Sequence, residues 1–176
     1  MIQYKLSSSS EEIEQILQLQ QQNFPNNLSE EDRSRDGFVT VKHTADILLK
    51  WQKQQPHVLA ISDGKVVGYA LSMLPEHRND IPILVPMFEK IDAKVDSTLR
   101  YLVMGQVCID KAYRGKGIFR GLYDKMKSSC NEFDWIITEV DTANERSLRA
   151  HEAVGFQELL TYQQDEQLWS LIYLPI

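Results

Sequence analysis

The chain has 176 residues, with 19 lysines and arginines against 25 aspartates and glutamates, 43% apolar residues and a formal net charge of -6. That length supports one domain, residues 1–176, with a core needing neither metal nor disulfides, and the acidic balance argues against a nucleic-acid partner because the basic residues around Arg114 form only a small cluster. The 2 cysteines, Cys108 and Cys130, fit neither a disulfide framework nor a metal-ligand spacing, so no metal is expected and a reducing, cytoplasmic setting is.

The opening MIQYKLSSSSEEIEQ lacks the basic and apolar regions of a leader, and no apolar run reaches membrane-spanning length; a soluble protein with no membrane partner is expected. IQYKL alternates as an edge strand. The serines from Ser7 to Ser10 then cap a helix that places Ile13, Ile16, Leu17 and Phe24 near one face, with the glutamine-rich QLQQQN as its solvated face. Pro25 ends it. A second helix from Thr44 to about Gln54 carries Ala45, Leu48, Leu49 and Gln52 along one side and stops at Pro56.

From His57 the period changes to two. HVLAIS and KVVGYALSML flank Asp63-Gly64, the signature of a hairpin. Pro75 to Thr98 has no clean period and reads as a long connection with a short helix, either a functional or oligomeric surface or a tolerated insertion. YLVMGQVCI, Tyr101 to Ile109, is apolar on both alternating faces, as a covered central strand requires. A glycine-spaced turn follows, then a helix with Phe119, Leu122, Tyr123, Met126 and Cys130 at helical spacing. WIITEV is a further buried strand, TANERSLRAHEAVGF a capped helix closing at Gly155, and FQELLTYQ and LWSLIYL are two strands around QDEQ. The order describes a mixed α/β domain with a central crossover.

The turn YRGKGIFR carries the first functional signal. A strand entering a glycine turn and a helix N-terminus presents unpaired N–H groups and the positive end of a helix dipole, which suits phosphate. Glycines allow close backbone approach, and Arg114, Lys116 and Arg120 can add charge-assisted contacts. For a lone GxG, a plain strand-to-helix turn with solvated basic residues is the simpler explanation. The stretch matches neither a GxxxxGK[ST] loop nor a full GxGxxG fingerprint.

IDKAYRGKGIF, Ile109 to Phe119, resembles the acetyl-CoA pyrophosphate motif [Q/R]-x-x-G-x-[G/A] of the GNAT acetyltransferase superfamily, with Arg114 and Gly117 matching. NERSLRAHEAVGF, Asn144 to Phe156, resembles that family's later block, an Asn opening a helix that ends in Gly-Phe. The resemblance covers the chain from about His57 to its C-terminus. It implies a GNAT-like α/β fold: a central mixed, mostly antiparallel sheet flanked by helices and splayed between its fourth and fifth strands, where CoA lies. Carried over by position, the backbone of Val107, Cys108 and Ile109 holds the pantetheine arm and thioester. Gly115, Lys116, Gly117, Ile118, Phe119 and Arg120 wrap the pyrophosphate, and Asn144 contacts the cofactor arm. Phe119 stands where the family usually has Gly or Ala; its side chain either joins the helix packing face or crowds the phosphates.

The catalytic positions leave alternatives. His151 stands where many members carry a tyrosine that protonates the leaving thiolate; it either donates that proton or makes a structural hydrogen bond. Asn144 is also an ordinary N-cap, and Thr142 with Glu145 spells a capping box. Removal of the amine's proton points to Glu139 as base, against a strand-end carboxylate meeting solvent. Gln106 can orient a water but cannot deprotonate an amine. Cys108 reads as packing more readily than as a nucleophile, and Glu76 and His77 as loop polarity more readily than as substrate contacts. The resulting expectation is an N-acetyltransferase moving acetyl from acetyl-CoA to a primary amine of a small molecule or peptide, with a homodimer left open. The alternative is a CoA-binding sensor or interaction module without turnover.

Overall fold

A computed structural model describes residues 1–31 and 39–176. The strands are β1 (Gln3–Leu6), β2 (Val58–Ser62), β3 (Lys65–Met73), β4 (Tyr101–Ile109), β5 (Trp135–Asp141), β6 (Gln157–Gln164) and β7 (Gln167–Pro175), in the sheet order β1-β2-β3-β4-β5-β7-β6. The helices that carry the argument are α1 (Ser10–Gln22), α2 (Ala45–Gln54), α3 (Val85–Lys94), α4 (Ile118–Ser129) and α5 (Glu145–Val154). The sheet is mixed: β4 and β5 run parallel, while the β1-β2, β2-β3, β5-β7 and β6-β7 pairs are antiparallel. The chain divides into two compact units, Met1–Ser72 with Gly105–Met126, and Met73–Met104 with Lys127–Ile176.

In the first unit, Ser9 caps α1 by accepting from Glu12 N–H while the Glu12 side chain returns to the Ser9 N–H, a capping box. The buried face of α1 consists of Ile13, Ile16, Leu19 and Gln20. This corrects two sequence expectations. Leu17 and Phe24 are only half-buried, and the glutamine-rich run is solvated at Gln18, Gln21 and Gln22 but not at Gln20 and Asn23, which are buried. The 3.6-residue period carries Leu19 and Gln20 round to the Ile13–Ile16 side. On α2, capped by Thr44, Leu48 of the expected stripe is buried together with Trp51, while Ala45, Leu49 and Gln52 are half-buried. The β2-β3 turn has Asp63 at φ 50 and Gly64 at φ 76, the two left-handed residues of a tight hairpin.

Two close approaches fix α4 in this unit. A Cβ on Gly121 would lie 2.1 Å from Tyr4 Cζ, so the ring of Tyr4 on β1 occupies the space that any other residue would fill. On β3, a Cβ at Gly68 would lie 3.2 Å from Ile118 Cγ2 and 3.4 Å from the Cys108 carbonyl oxygen. Ile118, Leu122, Tyr123 and Met126 form the buried stripe of α4, each such side chain contributing about 1.5–3 kcal/mol through removal from water.

In the second unit, α3 buries Met87, Phe88 and Ile91, so the connection from Pro75 to Thr98 does contain a helix. His77 is buried too, with Nδ1 3.2 Å from Asp80 Oδ2, which corrects its reading as exposed loop polarity. The parallel ladder pairs Tyr101–Val103 with Trp135–Ile137, and Thr138 Oγ1 then donates to the Met104 carbonyl at 2.9 Å. Asn144 caps α5 by accepting from Ser147 N–H at 3.1 Å; the cap is therefore Asn144 and not Thr142, and Glu145 is the first helical residue. Gly155 ends α5 at φ 114, the left-handed conformation that favours glycine.

Candidate active site

The turn between β4 and α4 lies wholly within the first unit. Asp110 caps a short 3-10 turn, Lys111–Tyr113, by accepting from Ala112 N–H at 2.8 Å. Gly115 and Gly117 then adopt φ 72 and 78, where an L side chain is strained. A Cβ built on either glycine meets nothing within 4 Å. These glycines therefore serve the backbone path and not close internal packing, and they leave open space beside it. The first intrahelical bond of α4 runs from Gly121 N–H to the Gly117 carbonyl at 3.1 Å, so the glycine turn leads directly into the N-terminus of a 12-residue helix. The positive end of that helix's dipole lies at the turn, a setting that suits an anion.

The side chains of the turn divide. Lys116 is exposed, its Nζ 4.9 Å from the centre of the Tyr113 ring, and Arg120 is exposed. Arg114 turns inward instead: Nε donates to the Ile109 carbonyl at 3.1 Å and Nη2 donates to Asn23 Oδ1 at 2.6 Å. Its bonds hold the ends of the turn together and tie it to the C-terminus of α1. Phe119 is half-buried and packs edge-on against Tyr123, with ring centres 5.1 Å apart, which places its side chain in the helix packing.

Behind the turn, β4 supplies Gln106, Val107, Cys108 and Ile109. The Gln106 carboxamide sits in a buried network: Nε2 donates to the Val41 carbonyl at 2.9 Å, and Oε1 accepts from Gln20 Nε2 at 2.8 Å and Tyr69 Oη at 2.6 Å. Gln20 also bonds His43, through Nε2 to Nδ1 at 2.9 Å and through Oε1 from the His43 N–H at 3.0 Å. Gln106 is thus a tether for the segment leading into α2. Burial pushes the Cys108 thiol up to about 12, so it stays protonated and unreactive at neutral pH.

The second unit holds Glu139, Tyr162 and His151. Glu139 on β5 and Tyr162 on β6 lie on the same face of the β5-β7-β6 sheet, since Glu139 pairs with Leu171, Leu171 with Leu160, and Tyr162 is two residues beyond Leu160. The Tyr162 hydroxyl donates to Glu139 Oε2 in a short hydrogen bond. Burial raises the Glu139 carboxyl to about 7, with the Tyr162 bond opposing that rise. Burial and the adjoining carboxylate raise Tyr162 in turn, which keeps its phenol protonated. Sequence reasoning named Glu139 and missed Tyr162. The 23-residue separation is what hid the pair, although period-two alternation in FQELLTYQ was a usable hint.

His151, on α5, is buried; its Nδ1 lies 2.8 Å from the Ser147 carbonyl, so that nitrogen carries the proton and donates it. Its ring packs edge-on against Phe156, centres 5.0 Å apart. Burial lowers it to about 4, leaving it neutral at neutral pH. Asn144 uses Oδ1 on the helix cap.

The sequence matches the Acetyltransferase (GNAT) family over residues 13–156, and the chain belongs to that family. Solved structures share its fold. The NatC complex bound to Gag peptide and CoA is 18% identical, with a TM-score of 0.66, covering 99% of this chain and 98% of that one. The ribosomal-protein-S18-alanine N-acetyltransferase from Escherichia coli is 12% identical at a TM-score of 0.66, covering 100% and 94%. Ard1 from Thermoplasma volcanium is 16% identical at 0.68, covering 99% and 97%. A direct comparison with curated protein sequences gave no match. Among the described residues no helix is long and apolar enough to cross a membrane, and no group of three or more His, Cys, Asp or Glu side chains could hold a metal.

Proposed function

We propose that this protein transfers acetyl from acetyl-CoA to a primary amine, with Glu139 as the general base. The observation that carries this reading is a buried carboxyl held at about 7, within the range where a base is both available and effective at neutral pH. The turn from Gly115 to Arg120 fits a pyrophosphate, because its two left-handed glycines present backbone to open space at a helix N-terminus. Lys116 and Arg120 supply positive charge, Arg114 preorganises the turn, and the backbone of Val107 to Ile109 lies alongside for the pantetheine arm. Asn144 retains its Nδ2 donor for the cofactor, Oδ1 being engaged in the cap. Bound acetyl-CoA supplies the thioester carbonyl.

The chemistry follows from the groups named. An amine nitrogen would attack the carbonyl, an N–C bond forming as the C–S bond breaks and its electron pair leaves with sulfur as the CoA thiolate, while Glu139 would accept the proton lost by nitrogen and pass it to solvent or to that thiolate. Of the two roles open to His151, its hydrogen bond to Ser147 and its packing on Phe156 favour the structural one. A base near 7 is better matched to an α-ammonium, with a reference pKa of about 7.7–8.0, than to a lysine ammonium near 10.4. We therefore favour the α-amine of a peptide or small molecule as acceptor. The test is release of free CoA thiol from acetyl-CoA with short free-N-terminus peptides and with their N-blocked lysine counterparts. Faster turnover with the free N-termini is expected, and its loss in Glu139→Gln; undiminished turnover in Glu139→Gln removes Glu139 from the mechanism.

A further inference from the structure

We propose that Tyr162 is a positioning residue for the reaction: it fixes Glu139 through Oε2 and leaves Oε1 to take the proton from the acceptor amine. This rests on the reading of Glu139 as base given above. The geometry is specific. Glu139 lies on β5 and Tyr162 on β6, with β7 between them, so the phenol reaches the carboxylate diagonally over the strand that separates them. Its hydroxyl donates to Oε2. Among the described residues, Oε1 has no hydrogen-bond partner, so one carboxylate oxygen is oriented and the other is left for chemistry. When the amine gives up its proton, the N–H bond breaks and an O–H bond forms at Oε1; return of the proton to solvent restores the carboxylate.

The surroundings leave Tyr162 as the hydrogen-bonding group that tunes this carboxylate. Asp141, on the same face of β5, accepts from Gln167 Nε2 at 3.1 Å and from Ala143 N–H at 2.9 Å. On β7 the facing positions are Trp169 and Leu171, neither ionisable. Lys90 of α3 lies with Nζ 5.8 Å from the centre of the Tyr162 ring, over the phenol and not paired to the carboxylate. Burial and the Tyr162 bond account for the carboxyl's displacement, with no charged neighbour contributing. A phenol that favours the charged carboxylate, against a burial that disfavours it, sets the balance near neutrality.

Two substitutions move that balance in opposite directions. Tyr162→Phe removes a hydrogen bond to a charged group, and Glu139 is expected to titrate higher by about 1–2 pH units. Incorporating 3-fluorotyrosine at position 162 makes the phenol a stronger donor, and Glu139 is expected to titrate lower than in the wild type. Both are read directly from the carboxyl carbon-13 resonance of Glu139 in the protein without cofactor, and in parallel from the acid limb of the kcat/KM profile. Opposite shifts, with the Tyr162→Phe rate recovering at high pH, support the pairing even if only the titration can be read; a fold that tolerates only fluorotyrosine still gives one signed shift. A Glu139 resonance that titrates at an ordinary carboxylate value in the wild type, or is unmoved by both changes, overturns it. Signed shifts in a protein that acetylates no amine support the pairing while counting against the acetyltransferase reading, which separates the two failures.

Discussion

Arg114 Nη2 donates to Asn23 Oδ1 at 2.6 Å, so the basic residue that opens the glycine turn is anchored to the end of α1, 91 residues earlier in the chain. Asn23 is held in turn, its Nδ2 donating to the Leu19 carbonyl at 2.8 Å and its own carbonyl accepting from Val39 N–H at 3.1 Å. The glycine turn is thereby held in place by a residue from the N-terminal third of the protein.

Asn23→Ala should cost about 1.5–3 kcal/mol, the range for a hydrogen bond to a charged group left without its acceptor. It should also weaken acetyl-CoA binding by loosening the turn. Thermal unfolding and calorimetric titration of the variant check both parts.

Gly121→Ala should change sign with its background. In the wild type the added methyl collides with the Tyr4 ring and displaces it, a net destabilisation. In a Tyr4→Ala background the collision disappears, and alanine should stabilise α4 by about 1 kcal/mol through its better helix propensity. Chemical denaturation of the four proteins in this cycle measures the coupling.

Three buried histidines predict acid sensitivity. His43, His57 and His151 are each lowered to about 4 by burial, against the ordinary 6.5 of an open chain. Between those values the unfolded state binds more protons, so stability is fully present above 6.5 and falls as pH drops towards 4. Each group contributes a slope approaching about 1.4 kcal/mol per pH unit within the window. Denaturation curves from pH 7.5 to 5 should show the loss, and His151→Gln should make the dependence shallower.

Glu139 has the opposite sign. Its carboxyl is raised in the folded state, so the protein is most favoured where the group is protonated and loses that advantage as pH rises from about 4.5 towards 7. Glu139→Gln should therefore raise Tm at pH 8, leave it little changed at pH 4, and lose acetyl transfer at pH 8, where the wild-type carboxylate is ionised. A variant less stable than the wild type at pH 8 would show that the ionised carboxylate is better compensated than its burial implies.

Much of this architecture is local enough to be legible in the residues. Asp63-Gly64 between alternating runs marks the β2-β3 hairpin, the doubly apolar Tyr101–Ile109 marks β4, and Gly155 marks the end of α5. What escaped is polar and tertiary. Gln20 looks like one of several solvent-facing glutamines until its partners, His43 and Gln106, are known; they lie 23 and 86 positions away. Arg114 looks like a phosphate ligand because Asn23 is invisible from its neighbourhood. Tyr162 shares a face with Glu139 only because β7 inserts between β5 and β6, an order that periodicity alone does not supply.

The central claim is that the Gly115–Arg120 turn receives the phosphates of acetyl-CoA. It is tested most directly by calorimetric titration of acetyl-CoA into the wild type, Gly117→Asn and Gly117→Asp. The two variants share shape and backbone strain and differ by one negative charge. The account predicts binding by the wild type near micromolar, about -8 kcal/mol, retained in part by Gly117→Asn and lowered at least tenfold further by Gly117→Asp. Equal affinity of the Asn and Asp variants would contradict it and move the cofactor elsewhere on the protein.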